Sequence, residues 1–267
     1  MADILIGTSA FTAEGWVGSF YPAGMQPRDF LSYYATQFKT VELDNTFYRT
    51  PALSVVEGWN LKTPPGFLFA AKVPQVITHE KVLVDCEVDL AHFLDTMSVL
   101  GDKLGPLLLQ FGYFNSSVFR SGSEFLARLK PFLEKLPKDF KFALEIRNKA
   151  WLDARFTDLL RQHNVALALI DQSSMPRPWE IKEKIDLATT DWTYVHWLGD
   201  RKAIEAETKT WDKTIIDRKS DLKNWVEVLK QMMNTKKIVK LLAFANNHYA
   251  GHSPATVRLF TQLWDQK

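Results

Sequence analysis

Cysteine is nearly absent from this chain. Cys86 is the only one among 267 residues, so no intrachain disulfide can form, and a reducing compartment, read here as the cytoplasm, is expected. An excess of one charge is missing too. Lys and Arg number 33 against 31 Asp and Glu, a net of +2, which leaves no broad field for a polyanion. Nucleic acid is therefore disfavoured as a partner, without being excluded as a local contact. No apolar run approaches the ~20 residues of a membrane span. The opening MADILIGTSAF lacks a basic stretch followed by a long apolar core, so neither a signal peptide nor a membrane partner is expected. The turn Gly7–Thr8–Ser9 lacks the spaced glycines of a dinucleotide fold. His248 and His252 are four apart, in HYAGH, but Gly251 between them argues for a loop rather than a helix, and no HExxH pattern occurs, so no metal ligands are assigned. Repeats and low-complexity tracts are absent as well, which favours one domain over residues 1–267.

What is present is a hydrophobic fraction of 46%, enough for a large core, arranged as short apolar runs between amphipathic stretches. Eight runs read as strands: Ile4–Thr8, Lys39–Leu43, Phe67–Val73, Pro106–Phe111, Lys141–Arg147, Val165–Asp171, Thr193–Leu198 and Ile238–Asn246. Helical spacing predicts helices over Arg28–Phe38, Val88–Leu100, Ser123–Leu136, Asp153–His163, Thr214–Asn234 and Ser253–Trp264. Gln172–Asp191 reads as a long connection and Gly199–Lys213 as polar loop. Eight strands alternating mainly with helices predict an α/β fold, a somewhat irregular single-domain TIM-type (β/α)8 barrel.

In such a barrel the active site lies at the C-terminal ends of the strands. Those ends carry Thr8 and Ser9, Glu42 and Asp44, Lys72, Gln110, Glu145 and Arg147, Asp171, His196, and Asn246, Asn247 and His248. Strand side chains alternate faces, so Glu42 shares a side with Asp44, and Glu145 with Arg147. Burying so many charges is costly unless they pair with one another or with a ligand. A purely structural ion network would satisfy that demand. The functional alternative assigns Glu42 and Glu145 to proton transfer, Asp171 to orienting one of them, and Lys72 and Arg147 to an anionic or polyhydroxyl ligand. His196 is a candidate proton carrier, although a strand histidine beside Trp197 is as often a satisfied core residue. His79, in ITHEK, could reach the mouth or stand on the surface. Asn246 and Asn247 could orient a ligand or satisfy the backbone before Gly251. Trp16, Phe47, Tyr48, Trp151 and Trp179 follow strand ends and could stack on a sugar or base.

The stretches IGTSAFTAEGWVGSFYP, TVELDNTFYRTP, FAAKVPQVITH, LGPLLLQF, ALEIRNKAW and AFANNHYAGHSPATVRLF together resemble the YecE-like proteins, domain-of-unknown-function family 72. The resemblance covers nearly the whole chain and implies a TIM-type barrel, but no reaction. It maps the family pattern onto Gly7, Thr8, Ser9, Glu42, Phe47, Tyr48, Lys72, Thr78, His79, Gln110, Glu145, Arg147, Trp151, Asp171, Asn246 and Asn247. It places Asn where Asp44 stands, which weighs against Asp44. The chain departs from the pattern at Ala10–Phe11 for Gly-Trp, at Gly112–Tyr113 for Pro-Pro, and at Asn148 for His. On the seventh strand Tyr194–Val195–His196–Trp197–Leu198–Gly199 replaces a pattern like Tyr-Val-Arg-x-His-Gly, so His196 holds an Arg position and Leu198 a His position.

The leading expectation is an enzyme of hydrolase or isomerase type, using general acid/base chemistry on a small anionic or sugar-like metabolite, with glycoside hydrolysis as one version. The alternatives are a non-catalytic barrel that binds an anion or a nucleic-acid end, and a metal-assisted phosphodiesterase or isomerase. No cofactor is assigned, and a divalent metal belongs to that last alternative alone.

Overall fold

The computed structural model describes residues 3–235 and 238–266. The eight expected strands all form, each within two residues of its predicted bounds. They are β1 (Asp3–Thr8), β2 (Thr40–Leu43), β3 (Leu68–Lys72), β4 (Leu104–Gln110), β5 (Phe142–Glu145), β6 (Ala166–Gln172), β7 (Trp192–Gly199) and β8 (Lys240–Ala245). All pair in parallel in one sheet of order β1-β8-β7-β6-β5-β4-β3-β2. The helices are α1 (Phe30–Gln37), α2 (Leu53–Leu61), α3 (Glu87–Ser98), α4 (Gly122–Glu134), α5 (Ala154–Gln162), α6 (Pro178–Ile181), α7 (Arg201–Glu207), α8 (Lys219–Thr235), α9 (Asn247–Ala250) and α10 (Ser253–Asp265). Among the described residues no helix is long and apolar enough to cross a membrane.

The sheet is nearly closed into a barrel, and its seam lies between β1 and β2. Tyr34, projecting from α1, fills the place of a backbone ladder there. Its hydroxyl accepts from Thr8 N at 2.9 Å and donates to Thr40 O at 3.1 Å. The strands approach so closely at this point that a Cβ on Gly7 would lie 2.1 Å from Thr40 O, so only glycine fits.

Two expectations about the helices need correction, and one helix had no expectation attached. No element was assigned to Leu53–Leu61, where α2 forms and buries Val56 and Trp59. The stretch expected to be polar loop contains α7, started by the Asp200 carboxylate accepting from Ala203 N at 3.0 Å. The helix expected from Thr214 starts only at Lys219, because Ile215 N and Ile216 N both donate to Ala250 O and hold that segment against α9.

Alternation divides each strand between two apolar layers. Leu5, Ala70, Leu108, Ala143, Ala166, Ala168, Ile170, Trp192, Tyr194, Leu242 and Phe244 fill the barrel interior. The intervening residues, among them Leu107, Leu109, Leu144, Leu167, Leu169 and Val195, face the surrounding helices. Which layer a strand-end residue belongs to decides whether it can join a site at the mouth.

Candidate active site

Continuing the inward rows by two residues brings a polar set to the top of the barrel: Glu42 from β2, Lys72 from β3, Gln110 from β4, Glu145 from β5 and His196 from β7. All five are buried. Tyr194, one inward step below His196, reaches the same group. Its hydroxyl donates a very short hydrogen bond to Glu42 Oε2.

His196 is the centre. Its Nδ1 lies 2.8 Å from Glu145 Oε2, and its Nε2 lies 3.2 Å from Ser9 Oγ and 3.3 Å from Glu42 Oε1. Arg147 holds the other Glu145 oxygen, with Nε at 2.9 Å and an η-nitrogen at 2.8 Å from Oε1. Burial pushes the Glu145 carboxyl up, but Arg147, His196 and Lys72 together outweigh burial and hold it at about 2. An ionised Glu145 can only accept, so His196 Nδ1 carries a proton and donates it. Burial also works against the charge on Lys72, and here Asp44, Glu42 and Glu145 prevail and raise its pKa. Lys72 Nζ contacts Asp44 Oδ1 at 2.5 Å. Burial and the neighbouring Glu42 keep the Tyr194 phenol well above its ordinary value, so it acts as a donor.

Two polar atoms in this group lack hydrogen-bond partners, Glu42 Oε1 and Gln110 Oε1. Glu42 Oε1 is near His196 Nε2 but receives no hydrogen bond from it. Buried acceptors in folded proteins are nearly always satisfied, so this unsatisfied pair at the strand ends stands out.

The other sequence candidates are placed differently. Asp171 does not join the carboxylates, because β6 directs Ala166, Ala168 and Ile170 inward and Asp171 outward. Its Oδ2 accepts from Trp225 Nε1 at 2.9 Å and from Tyr249 OH at 3.1 Å, and Arg177 Nε lies 3.3 Å from Oδ1. The expectation that it orients Glu42 or Glu145 is therefore corrected. Thr8 also faces outward, its hydroxyl bound to Ala10 O and Tyr34 OH. Asn246 caps α9 by accepting from His248 N at 3.0 Å, and Asn247 accepts from Ser253 N and Oγ, each at 2.9 Å. Trp151 stacks on Phe125 at 5.2 Å and Phe114 at 6.3 Å, in an aromatic cluster over α4.

His79 does reach the side of the mouth. Its Nε2 accepts from Gly112 N at 3.1 Å, its Nδ1 lies 2.8 Å from Thr78 Oγ1, and Phe47 meets its ring edge-to-face at 5.1 Å. Burial, then Arg147, lowers its pKa, so it stands as a neutral imidazole. Tyr48 beside it is exposed. Where the family pattern has His, Asn148 clamps Phe114 by accepting from its N at 2.9 Å and donating to its O at 2.8 Å.

Sequence reasoning passed over Tyr194 and underrated Asp44. Strand parity carried the signal for Tyr194, which stands two residues before His196, whereas Asp44 lies just past β2 in the 3₁₀ turn Asp44–Phe47 and meets Lys72 from there. Among the described residues no group of three or more His, Cys, Asp or Glu is arranged to hold a metal ion.

Comparison with known proteins agrees with this architecture. The model of the family described as "Protein of unknown function DUF72" matches residues 5–267. UPF0759 protein YecE of Escherichia coli K12 is 34% identical over 118 residues, 44% of this chain and 41% of that protein. UPF0759 protein YunF of Bacillus subtilis is 28% identical over 156 residues, 54% of this chain and 52% of that protein. Matched in these stretches, the chain spans about half the length of either relative. The crystal structure of a DUF72 family protein from Thermotoga maritima superposes with a TM-score of 0.76 at 26% identity, covering 99% of this chain and 100% of that one. A DUF72 family protein from Enterococcus faecalis, 19% identical, shares the fold with a TM-score of 0.69. With its family model matching from the first strand to the C-terminal end, the chain belongs to the DUF72 family.

Proposed function

We propose that the barrel mouth is a general acid–base site and that the protein is an enzyme moving a proton on a small polar metabolite. The observation that carries this reading is His196 set between two carboxylates, one locked as an anion and one with a free oxygen. Glu42 Oε1 would take the proton from the substrate. His196 Nε2, 3.3 Å away, is placed to pass that proton on or to hold it. Glu145 would stay ionised and stabilise the imidazolium that forms, the role a buried carboxylate plays behind a catalytic histidine. The Tyr194 hydroxyl fixes Glu42 Oε2 and so leaves Oε1 as the reactive atom.

This arrangement favours isomerisation over glycoside cleavage. A glycosidase needs its two carboxylates on either side of the scissile bond, and here the imidazole ring occupies the space between them. The test is a screen of small hydroxy-carbonyl compounds, glycosides and phosphate esters for turnover and for solvent deuterium uptake. Wild type should be active on one class, and Glu42→Gln should lose ~10²–10⁴ of that rate. Equal rates for wild type, Glu42→Gln and Glu145→Gln would end the reading.

A further inference from the structure

We infer that the mouth takes a ligand rich in hydrogen-bond donors and free of phosphate, an uncharged polyhydroxy compound such as a free sugar or polyol. The inference rests on the acid–base reading for its location only. Its chemistry comes from three separate features of the strand ends.

The first is the pair of unsatisfied acceptors. Glu42 Oε1 and Gln110 Oε1 are buried without partners, on side chains 0% and 7% exposed. Both follow inward rows of the wall, and Gln110 stands in register beside Glu145 on the next strand. A ligand that satisfies acceptors must bring O–H or N–H groups. Phosphate oxygens, which accept, would meet Glu42 with repulsion.

The second is the charge already present. Lys72 is held by Asp44 at 2.5 Å, and Arg147 grips Glu145 through two nitrogens at 2.9 and 2.8 Å. Counting Glu42, Asp44 and Glu145 against Lys72 and Arg147 gives three anions to two cations, with His196 lying between two of the anions. A phosphate dianion would add two charges to a set that already holds more anions than cations, close to buried carboxylates. The outer edge of Arg147 still offers N–H groups, which suit sugar hydroxyl oxygens as well as anions.

The third is the loop region after β7 and β8, where barrels of this type often grip phosphate with a helix N-terminus. Here several of its donors are consumed internally. Asn247 Oδ1 takes both Ser253 N and Ser253 Oγ, Asn246 Oδ1 takes His248 N, and Pro254 has no N–H to give. A Cβ on Gly199 would come within 2.4 Å of His248 O, so the two loops are in direct contact at that point.

The test is a binding panel read by ¹H–¹⁵N spectra of the full chain, following the Gln110 side-chain amide and the His196 ring. Free aldohexoses, ketohexoses and hexitols are compared with their monophosphates and with inorganic phosphate. At least one neutral member should shift both signals, its phosphate ester should bind about tenfold or more weakly, and Gln110→Leu should weaken the neutral ligand by about tenfold. A phosphorylated member that binds more tightly than its parent sugar would overturn the inference, and so would a panel in which no neutral member moves either signal. The outcomes separate the two proposals. Neutral binding with no turnover in any assay leaves the ligand class standing and removes the acid–base role. Turnover confined to phosphate esters does the reverse.

Discussion

Glu42 and Asp171 are both carboxylates buried in the barrel wall, and they lie on opposite faces of it. Asp171, on the helix side, has both oxygens engaged: Trp225 and Tyr249 donate to one, and Arg177 lies at ion-pair distance from the other. Glu42, on the inner side, has Tyr194 on one oxygen and the His196 imidazole 3.3 Å from the other, without a hydrogen bond. Burial alone therefore does not separate a structural charge from a functional one. What separates them is their partners: Asp171 takes two donors on one oxygen and faces a permanent cation with the other, whereas Glu42 takes one donor and faces an imidazole. Asp171 completes a contact between β6, α8 and α9, whereas Glu42 on the inner face has one donor fewer.

The comparison breaks most directly at Asp171. Asp171→Ala would leave Trp225 Nε1 and the Tyr249 hydroxyl buried without an acceptor, and should destabilise the protein by about 3 kcal/mol in denaturant unfolding. Asp171→Asn keeps an acceptor for both donors and should lose less than half as much. A loss within about 1 kcal/mol for the alanine variant would show that the outer carboxylate is no more structural than the inner one.

Next in size is the pH dependence of Glu145. Its carboxyl falls from 4.5 to about 2 on folding, so its stabilising effect is present above about 4.5 and disappears as pH drops through about 2. A difference of about 2.5 units corresponds to about 3 kcal/mol at most, reached gradually over that window. Unfolding curves from pH 5 to pH 2 should show wild type losing this increment relative to Glu145→Gln. Parallel curves would mean that Arg147 and His196 do not hold the charge.

The seam offers a third test, because there too a single side chain satisfies buried backbone. Tyr34→Phe removes the acceptor for Thr8 N and the donor to Thr40 O, and should lower stability by about 1–3 kcal/mol. Hydrogen exchange at the Thr8 amide should accelerate with it. An unchanged exchange rate would show that β1 and β2 are held by other contacts.

These residues also mark how far the sequence could be read. The eight strands were legible because each is a short apolar run bounded by turn residues. Glu42 and Glu145 were legible as inward groups because each has a polar neighbour two residues on that fixes the side. Val165–Ile170 is apolar on both faces, so nothing along β6 tells which way Asp171 points, and only the packing of α8 and α9 decides it. The Tyr34 bridge was not legible for a similar reason: its partners Thr8 and Thr40 meet only once the barrel has closed. Asp44 was discounted because the family pattern places Asn there, although strand parity had already set it beside Glu42.

The smallest expected effect sharpens the comparison most. Glu42→Gln should change stability by no more than about 1 kcal/mol, and in the favourable direction if it changes at all. The Tyr194 hydroxyl can still donate to the amide oxygen, and the new amide N–H faces His196 Nε2, which can accept because the ring proton is on Nδ1. Replacing a buried anion with an amide also brings the local count from three anions against two cations to two against two. Proteins commonly sacrifice stability where a site must remain unsatisfied until ligand binds, and removing such a group returns some of it. The measurement is paired denaturant unfolding of Glu42→Gln and Asp171→Asn, two single carboxylate-to-amide changes at fully buried positions. If Glu42→Gln lost 2 kcal/mol or more, the inner carboxylate would be as structural as the outer one, and the unpaired oxygen would lose its standing as the mark of the site.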